Sequence, residues 1–240
     1  MSHTMRPFIY LFFYNKATIK KQEVFEMTEL VFILDRSGSM AGLENDTIGG
    51  FNSMLEKQRK EPGNAVVSTV LFDNENEVIH DRVDIVNVPN LTDKEYFVRG
   101  CTALMDAVGG AIHHIGNIHK YARKEDVPEK TLFIIVTDGM ENCSQRYTYE
   151  KVRHMIERQK QKYGWEFIFL GANIDAMAEA KRFGIDESMA VNYHCDKEGT
   201  ALNYEVISKA ITSVRSCSAP LSVDWKKDIE EDYKKRSRKI

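Results

Sequence analysis

One stretch restricts the fold of this chain more than any other: a short apolar segment that ends abruptly in an acid, two hydroxyl residues and a glycine. Its sequence is VFILDRSGSM, residues 31–40. An uninterrupted apolar run of this length is typical of a strand that is buried on both faces of a parallel sheet. Open α/β sheets bind ligands at the carboxyl ends of their strands, so the polar residues after Leu34 are candidates for a site.

The polar residues after this strand alternate along the chain. They are Asp35, Ser37 and Ser39, and an extended turn brings their oxygens to one side. Hard oxygen donors of this kind suit Mg²⁺, Mn²⁺ or Ca²⁺ better than zinc. The stretch therefore predicts a site for a hard divalent cation.

From Met27 onward, strand and helix patterns alternate. Apolar or β-branched runs predict strands at 30–34, 66–72, 78–86, 131–136, 167–170 and 189–191. Helical spacing predicts helices after an N-cap at Asp46, from Leu104, from Tyr149 to a C-cap at Gly164, at 174–183 and at 198–214. This order predicts an α/β, Rossmann-like, doubly wound fold with a mostly parallel six-stranded sheet and helices on both faces. A tight turn at 73–76 makes the strand at 78–86 the one antiparallel edge strand.

Two more segments at strand or helix ends carry oxygen donors. Gly100-Cys101-Thr102 stands before the amphipathic helix, and Thr137-Asp138-Gly139 ends the most apolar strand. Asp-x-Ser-x-Ser, then a threonine, then Thr-Asp-Gly resembles the metal-ion-dependent adhesion site of the von Willebrand factor A domain family. The resemblance extends from about Met27 to Val214 and includes all five expected metal positions in order.

The resemblance implies how such a site works. The hydroxyls of Ser37, Ser39 and Thr102 would bind the cation directly, and Asp35 and Asp138 would act through water. A cation that keeps its charge in this way accepts an Asp or Glu from a partner protein. We therefore expect a non-enzymatic, cation-dependent protein-binding module with Mg²⁺, or else Mn²⁺ or Ca²⁺, as the cation. The bacterial stand-alone type of the family suggests an ATPase chaperone or a stress-response complex as the partner.

Each residue also has a simpler explanation. Asp35, Ser37 and Ser39 can cap the turn that follows them, and Thr102 can be the N-cap of its helix. The Asp138-Gly139 pair can form an ordinary turn. These alternatives fit each position singly, whereas metal binding accounts for all five together.

Two other functions remain open from the sequence. The first is a Mg²⁺-dependent phosphohydrolase with Asp35 as the nucleophile. Such an enzyme usually has a second acid two residues later, where this chain has Ser37. The second is an extracellular adhesin, which needs an export signal that the first residues barely offer.

Composition excludes several classes of protein. The formal net charge of -3 disfavours nucleic-acid binding. No run reaches the roughly 18 apolar residues that a membrane span needs. The four cysteines form no Cys-x-x-Cys pair, which predicts free thiols and a cytoplasmic location. Cys101 and Cys143 flank two of the site loops, and a regulatory disulfide or a soft-metal site there is the alternative.

Both ends of the chain differ from the middle. Residues 1–26 lack turn and helix signals, and codons for Gln22-Glu23-Val24 can contain a bacterial ribosome-binding sequence. We therefore expect residues 1–26 to lie outside the domain, with translation starting at Met27. The domain itself is predicted at 27–217. Residues 218–240 carry many charges of both signs, which predicts a solvated, partly helical tail or a disordered end, with a docking segment around Trp225 as the alternative.

Overall fold

The computed structural model describes residues 27–216 and 219–238, and within them six strands form one sheet in the order β3-β2-β1-β4-β5-β6. The strands are β1 (Thr28–Asp35), β2 (Ala65–Phe72), β3 (Asn76–Asp84), β4 (Lys130–Thr137), β5 (Glu166–Gly171) and β6 (Ala190–Asn192). β3 pairs antiparallel with β2, and every other neighbouring pair is parallel. The predicted fold class, including its antiparallel edge strand, is confirmed.

Helices cover both faces of this sheet. In the described residues they are α1 (Glu44–Gln58), α2 (Leu104–Tyr121), α3 (Tyr149–Tyr163), α4 (Ala176–Arg182), α5 (Lys197–Ser216) and α6 (Lys227–Ser237). Leu30, Phe32 and Leu34 of β1 pack with α1, α5 and α6, while Val31 and Ile33 pack with α2, α3 and α4. Successive side chains of a strand point to opposite faces, so a strand covered on both sides must be apolar throughout. This is the physical origin of the apolar run.

The sheet places the end of β1 at a crevice. β1 and β4 are neighbours in the middle of the sheet, and Leu34 is aligned with Val136. The chain continues from β1 to β2 on one side, and from β4 to β5 on the other. A crevice opens at the carboxyl ends of two such strands, and Asp35 and Asp138 both lie there.

The ends of two helices test the predicted caps. Gly164 ends α3 in the left-handed conformation, with a φ of 66°, as predicted. The predicted N-cap at Asp46 is wrong, because α1 begins at Glu44 and Leu43 occupies the cap position without a side-chain hydrogen bond. Asp46 instead lies in the first turn, where its charge favours the helix dipole.

The C-terminal segment is partly helical, as predicted, since α6 covers Lys227–Ser237. It packs against the domain, so the expectation that it is solvated or disordered is wrong for residues 219–238. Leu221 and Ile229 are only 5% and 1% exposed. The indole Nε1 of Trp225 donates to the carbonyl of Ser188 at 3.1 Å. These three apolar residues recur at every fourth position and form one apolar stripe. The composition of the segment does not show this stripe, because many charged residues surround it.

The predicted extension at 1–26 and its translation start lie outside the described residues. Between residues 27 and 216, and between 219 and 238, no helix combines the length and the apolar character that crossing a membrane requires.

Candidate metal centre

The five predicted metal residues lie together at the carboxyl edge of β1 and β4. The Oγ of Ser37 is 3.1 Å from both the Oγ of Ser39 and the Oγ1 of Thr102. The hydroxyl of Ser39 donates to Oδ1 of Asp138 at 2.5 Å. Four of the five residues are buried, and Ser39 alone among them is exposed. The structure therefore forms one oxygen cluster with a single side open to solvent.

Asp35 is held by hydrogen bonds on both carboxylate oxygens. Its Oδ1 accepts from the amide of Ser37 at 2.7 Å, and its Oδ2 accepts from the hydroxyl of Thr137 at 2.6 Å. The hydroxyl of Tyr96 donates to the Asp35 carbonyl at 2.5 Å. The sequence pattern assigned no role to Thr137 or Tyr96, although Thr137 stands directly beside Asp138.

Burial makes both acids of the cluster hard to ionise. It raises the pKa of Asp35 to about 6, and the negative charge of Asp138 adds to this effect. Burial likewise raises the pKa of Asp138, against hydrogen bonds from Ser39 and Cys195 that lower it. Two buried carboxylates side by side favour a cation between or beside them, because it offsets both their desolvation and their mutual repulsion.

The spacing of the donors fits a small hard cation. Ligand oxygens at 2.0–2.1 Å from Mg²⁺ in an octahedron are about 2.9 Å apart, close to the separations in this cluster. A Cβ at Gly139 would lie 3.1 Å from Oγ1 of Thr102 and 3.3 Å from Oγ of Ser39, so glycine keeps this space open. No group of three or more His, Cys, Asp or Glu side chains in residues 27–216 and 219–238 is arranged to hold a metal. The candidate site consists mainly of hydroxyls.

Helix capping does not explain the two central hydroxyls. Ala103 occupies the N-cap position of α2 without a side-chain hydrogen bond, and Thr102 donates its hydroxyl to Ser37 instead. Ser37 precedes a short 3₁₀ turn, Gly38–Met40, and also makes no capping bond. Only Asp35 acts as a local cap, through the amide of Ser37.

Comparisons with known proteins rest on structure alone. No protein-family model matches the chain, and no curated protein matches it by sequence. The von Willebrand factor domain of the type V pili tip protein Mfa5 from Porphyromonas gingivalis aligns with a TM-score of 0.59 and 12% identity, over 82% of this chain and 99% of that one. The chain has the von Willebrand factor A fold.

Two further structures with this fold are longer proteins. One is proximal thread matrix protein 1 from the mussel byssus with a zinc-occupied MIDAS motif, with a TM-score of 0.55, 15% identity and coverage of 79% of this chain and 46% of that one. The other is a von Willebrand factor type A protein from Catenulispora acidiphila, with a TM-score of 0.53, 13% identity and coverage of 78% and 43%. This chain thus spans less than half of either protein.

Arg36 has a structural role that the sequence did not suggest. Its side chain is fully buried, and Nε donates to Oδ2 of Asp73 at 2.8 Å. Arg99 donates to the same oxygen at 2.8 Å. Burial would raise the pKa of Asp73, but hydrogen bonds from Arg99, the Glu75 backbone and Arg36 hold it below its usual value. This network of hydrogen bonds connects the first site loop, residues 35–39, to the turn after β2 and to the segment that leads to Thr102.

Three polar side chains fix the loop at residues 139–148 onto the start of α2. Glu141 accepts from the amides of Met105, Cys143 and Ser144 at 2.8, 2.9 and 2.7 Å. Asp106 accepts from the amides of Gln145, Arg146 and Tyr147 at 3.0, 2.9 and 2.9 Å. Asn142 accepts from the amide of Thr102 at 2.9 Å. Glu141 and Asn142 thus bind the domain's own backbone.

The cysteines correct one expectation and add one residue to the site. Cys101 and Cys143 form a disulfide with a Cα–Cα distance of 6.3 Å, so the prediction of free thiols is wrong for this pair. The thiol of Cys195 lies 3.5 Å from Oδ2 of Asp138, and burial together with that carboxylate raises the pKa of Cys195 to about 12. No sequence pattern connected Cys195 with the site.

Proposed function

We propose that this domain binds a partner protein through a divalent cation held by Asp35, Ser37, Ser39, Thr102 and Asp138. The observation that carries the proposal is the convergence of three hydroxyls on two buried carboxylates at the crevice between β1 and β4. A byssus protein with the same fold has a zinc-occupied metal-ion-dependent adhesion site, which supports a cation at this place in the fold.

The donors of the cluster suit a cation that must attract a carboxylate. Ser37, Ser39 and Thr102 are neutral, and both oxygens of Asp35 are already engaged by Ser37 and Thr137. Few negative charges therefore contact the cation directly, and it keeps most of its own charge. When bound, it would supply an open coordination position for an Asp or Glu of the partner. We propose Mg²⁺ as the cation, with Mn²⁺ or Ca²⁺ as alternatives.

The residues around Asp35 favour binding over catalysis. A phosphohydrolase with Asp35 as the nucleophile usually has a second acid two residues later, or a free cationic side chain beside the nucleophile. Ser37 occupies the position of that acid, and Arg36 is directed into the buried network with Asp73. We therefore propose a non-enzymatic role.

The proposal also includes a cellular location and a class of partner protein. We place the domain in the bacterial cytoplasm, with an ATPase chaperone or a stress-response complex as the class of partner and without nucleic acid. The basis is the resemblance of the site motif to bacterial stand-alone members of the von Willebrand factor A family. In a reducing cytoplasm the Cys101–Cys143 disulfide would form reversibly.

Thermal unfolding with Mn²⁺, Mg²⁺ or EDTA tests the cation site. A cation at a hundred times its dissociation constant adds about 2.7 kcal/mol of stability, which raises Tm by roughly 5–10 °C for a chain of this length. Thr102→Val keeps the shape of the side chain but removes its oxygen, so it should abolish most of this shift. An unchanged shift in Thr102→Val would place the site elsewhere.

Two glycines provide a matched pair for the same experiment. Gly139→Ala pushes a methyl group between Thr102 and Ser39, and we expect about tenfold weaker Mn²⁺ binding by calorimetry. Gly110→Ala lies on α2 with nothing within 4 Å of the new Cβ, and it should bind Mn²⁺ like the wild type.

A pull-down from host lysate with and without EDTA, using wild type and Thr102→Val, then tests for a cation-dependent partner.

A further inference from the structure

The disulfide joins the two loops that deliver different donors to the metal centre. Cys101 directly precedes Thr102, and Cys143 lies in the loop that follows Asp138. Their sequence separation is 42 residues, and α2 and β4 lie between them. The bridge therefore adds a covalent link between two segments that hydrogen bonds between Thr102 and Asn142 also join.

The surroundings of the disulfide allow it to open without unfolding the domain. The amide of Asn142 donates to the carbonyl of Thr102 at 3.1 Å, and Oδ1 of Asn142 accepts from the amide of Thr102 at 2.9 Å. Glu141 and Asp106 hold the rest of the loop on α2. Both cysteines are partly exposed, so a small thiol can reach them. Reduction would loosen the two loops while these hydrogen bonds keep them near each other.

We infer that Cys101 and Cys143 are a redox-modification site that sets the cation affinity of the metal centre. This inference rests on the proposed function. With the disulfide formed, Thr102 and Asp138 are held in place before the cation arrives. With the thiols reduced, part of the binding free energy is used to order the two loops, so the cation binds more weakly.

The chemistry is thiol–disulfide exchange with a dithiol. One thiolate of the dithiol attacks a sulfur of the Cys101–Cys143 bond, which breaks as a mixed disulfide forms and the other cysteine leaves as a thiolate. The second thiolate of the dithiol then displaces the remaining cysteine. Both cysteines end as protonated thiols, and the dithiol is oxidised to a disulfide by the same two electrons. The reverse reaction with an oxidised dithiol restores the bridge.

Thermodynamic linkage makes the effect of the disulfide on cation binding reciprocal. If the disulfide strengthens cation binding by some factor, the cation must stabilise the disulfide against reduction by the same factor. Mn²⁺ should therefore shift the equilibrium of the disulfide with a dithiol buffer towards the oxidised protein.

Calorimetry with Mn²⁺ on the oxidised and reduced full chain tests the inference. The reduced sample is treated with dithiothreitol and desalted under nitrogen, and intact mass after alkylation confirms each state. We expect the oxidised protein to bind Mn²⁺ roughly five- to tenfold more tightly than the reduced protein. The variant C195S/C217S keeps only the bridging pair. Because Cys195 contacts Asp138, the absolute Mn²⁺ affinity of this variant is not the control; the ratio between its oxidised and reduced states is, and it should equal that of the wild type. C101S/C143S should bind like the reduced protein under both conditions.

The contradictory results separate this inference from the proposed function. Equal Mn²⁺ affinity in the oxidised and reduced wild type overturns the redox site and leaves the cation site intact. Absence of Mn²⁺ binding in both states overturns the proposed function and this inference with it. Loss of the ratio in C195S/C217S would assign the redox response to those cysteines and overturn the role of Cys101 and Cys143.

Discussion

At the scale of single residues, the metal centre depends on a carboxylate that burial penalises. Asp35 is only 2% exposed, and it follows five consecutive apolar residues, 30–34, of its strand. Hydrogen bonds from Ser37 and Thr137 offset part of the cost of its charge, but its pKa still rises to about 6. In the absence of a cation, the folded domain would therefore be more stable with Asn at this position than with the Asp that the chain has.

Asp35→Asn tests this cost through the pH dependence of stability. Between the unfolded pKa of 3.8 and the folded pKa of about 6, the folded chain retains a proton that the unfolded chain has released. Without a cation, the free energy of unfolding should therefore fall as the pH rises through this window, by up to about 3 kcal/mol. Asp35→Asn should lack the part of this fall that Asp35 causes, keep the part that the raised pKa of Asp138 causes, and be more stable than the wild type at pH 7.5.

Urea unfolding in EDTA between pH 4 and pH 7.5 measures the effect. The exposed Asp93 provides the control, since Asp93→Asn should leave the slope of the wild type unchanged. Mn²⁺ should stabilise the wild type but not Asp35→Asn. If Asp35→Asn keeps the pH slope of the wild type, the carboxylate of Asp35 does not carry the predicted cost.

At the scale of elements, neighbouring residues at the end of β1 belong to two different structures, the metal centre and a buried ion pair. Asp35 and Ser37 are directed to the metal centre, while Arg36 between them is directed to Asp73 at the turn after β2. The side chains separate in this way because successive side chains of an extended chain point to opposite sides. The buried ion pair positions the first site loop, and Arg99 connects it to the loop of Thr102.

Arg36→Met tests the contribution of this network. Arg36→Met removes one of the two guanidinium groups that bond the buried Asp73 and leaves Arg99 and the Glu75 amide as its partners, so we expect a loss of about 1–3 kcal/mol in the free energy of unfolding. Because part of this loss arises from the weaker compensation of the Asp73 charge, the double variant R36M/D73N should be more stable than Arg36→Met alone. Denaturant unfolding of both variants at pH 7.5 decides this. Equal stability of the two variants would show that Asp73 is satisfied without Arg36.

Local signals explain what the sequence could predict at this scale. The apolar run of β1 and the positions of Ser37, Ser39, Thr102 and Asp138 follow from short patterns, so both the sheet and the donor set were accessible. Cys101 and Cys143 are 42 residues apart and meet only because the backbones around Thr102 and Asn142 pair. Such long-range contacts leave no periodic trace in the sequence. The buried role of Arg36 could have been found from its place between two inward-facing residues.

At the scale of the whole molecule, the C-terminal segment completes the face of the sheet that carries α1 and α5. Ile229 of α6 belongs to the same apolar cluster as Leu30 and Phe32 of β1. Lys226 donates to the carbonyl of Ala190 in β6 at 2.7 Å, so the segment also lies against the short edge strand. Covering an edge strand in this way limits pairing with other chains.

The stability of the domain should therefore depend on a residue that composition assigns to a solvated tail. Ile229→Ala removes a side chain that is 1% exposed, and we expect a loss of about 2–4 kcal/mol in the free energy of unfolding. Val223→Ala is the matched control, because Val223 is 58% exposed in the same segment and should change stability by less than about 0.5 kcal/mol. Urea unfolding of the full chain compares the two. An equally small loss in both variants would mean that the stripe of Leu221, Trp225 and Ile229 does not hold the segment to the domain, and that its many charges keep it in solvent.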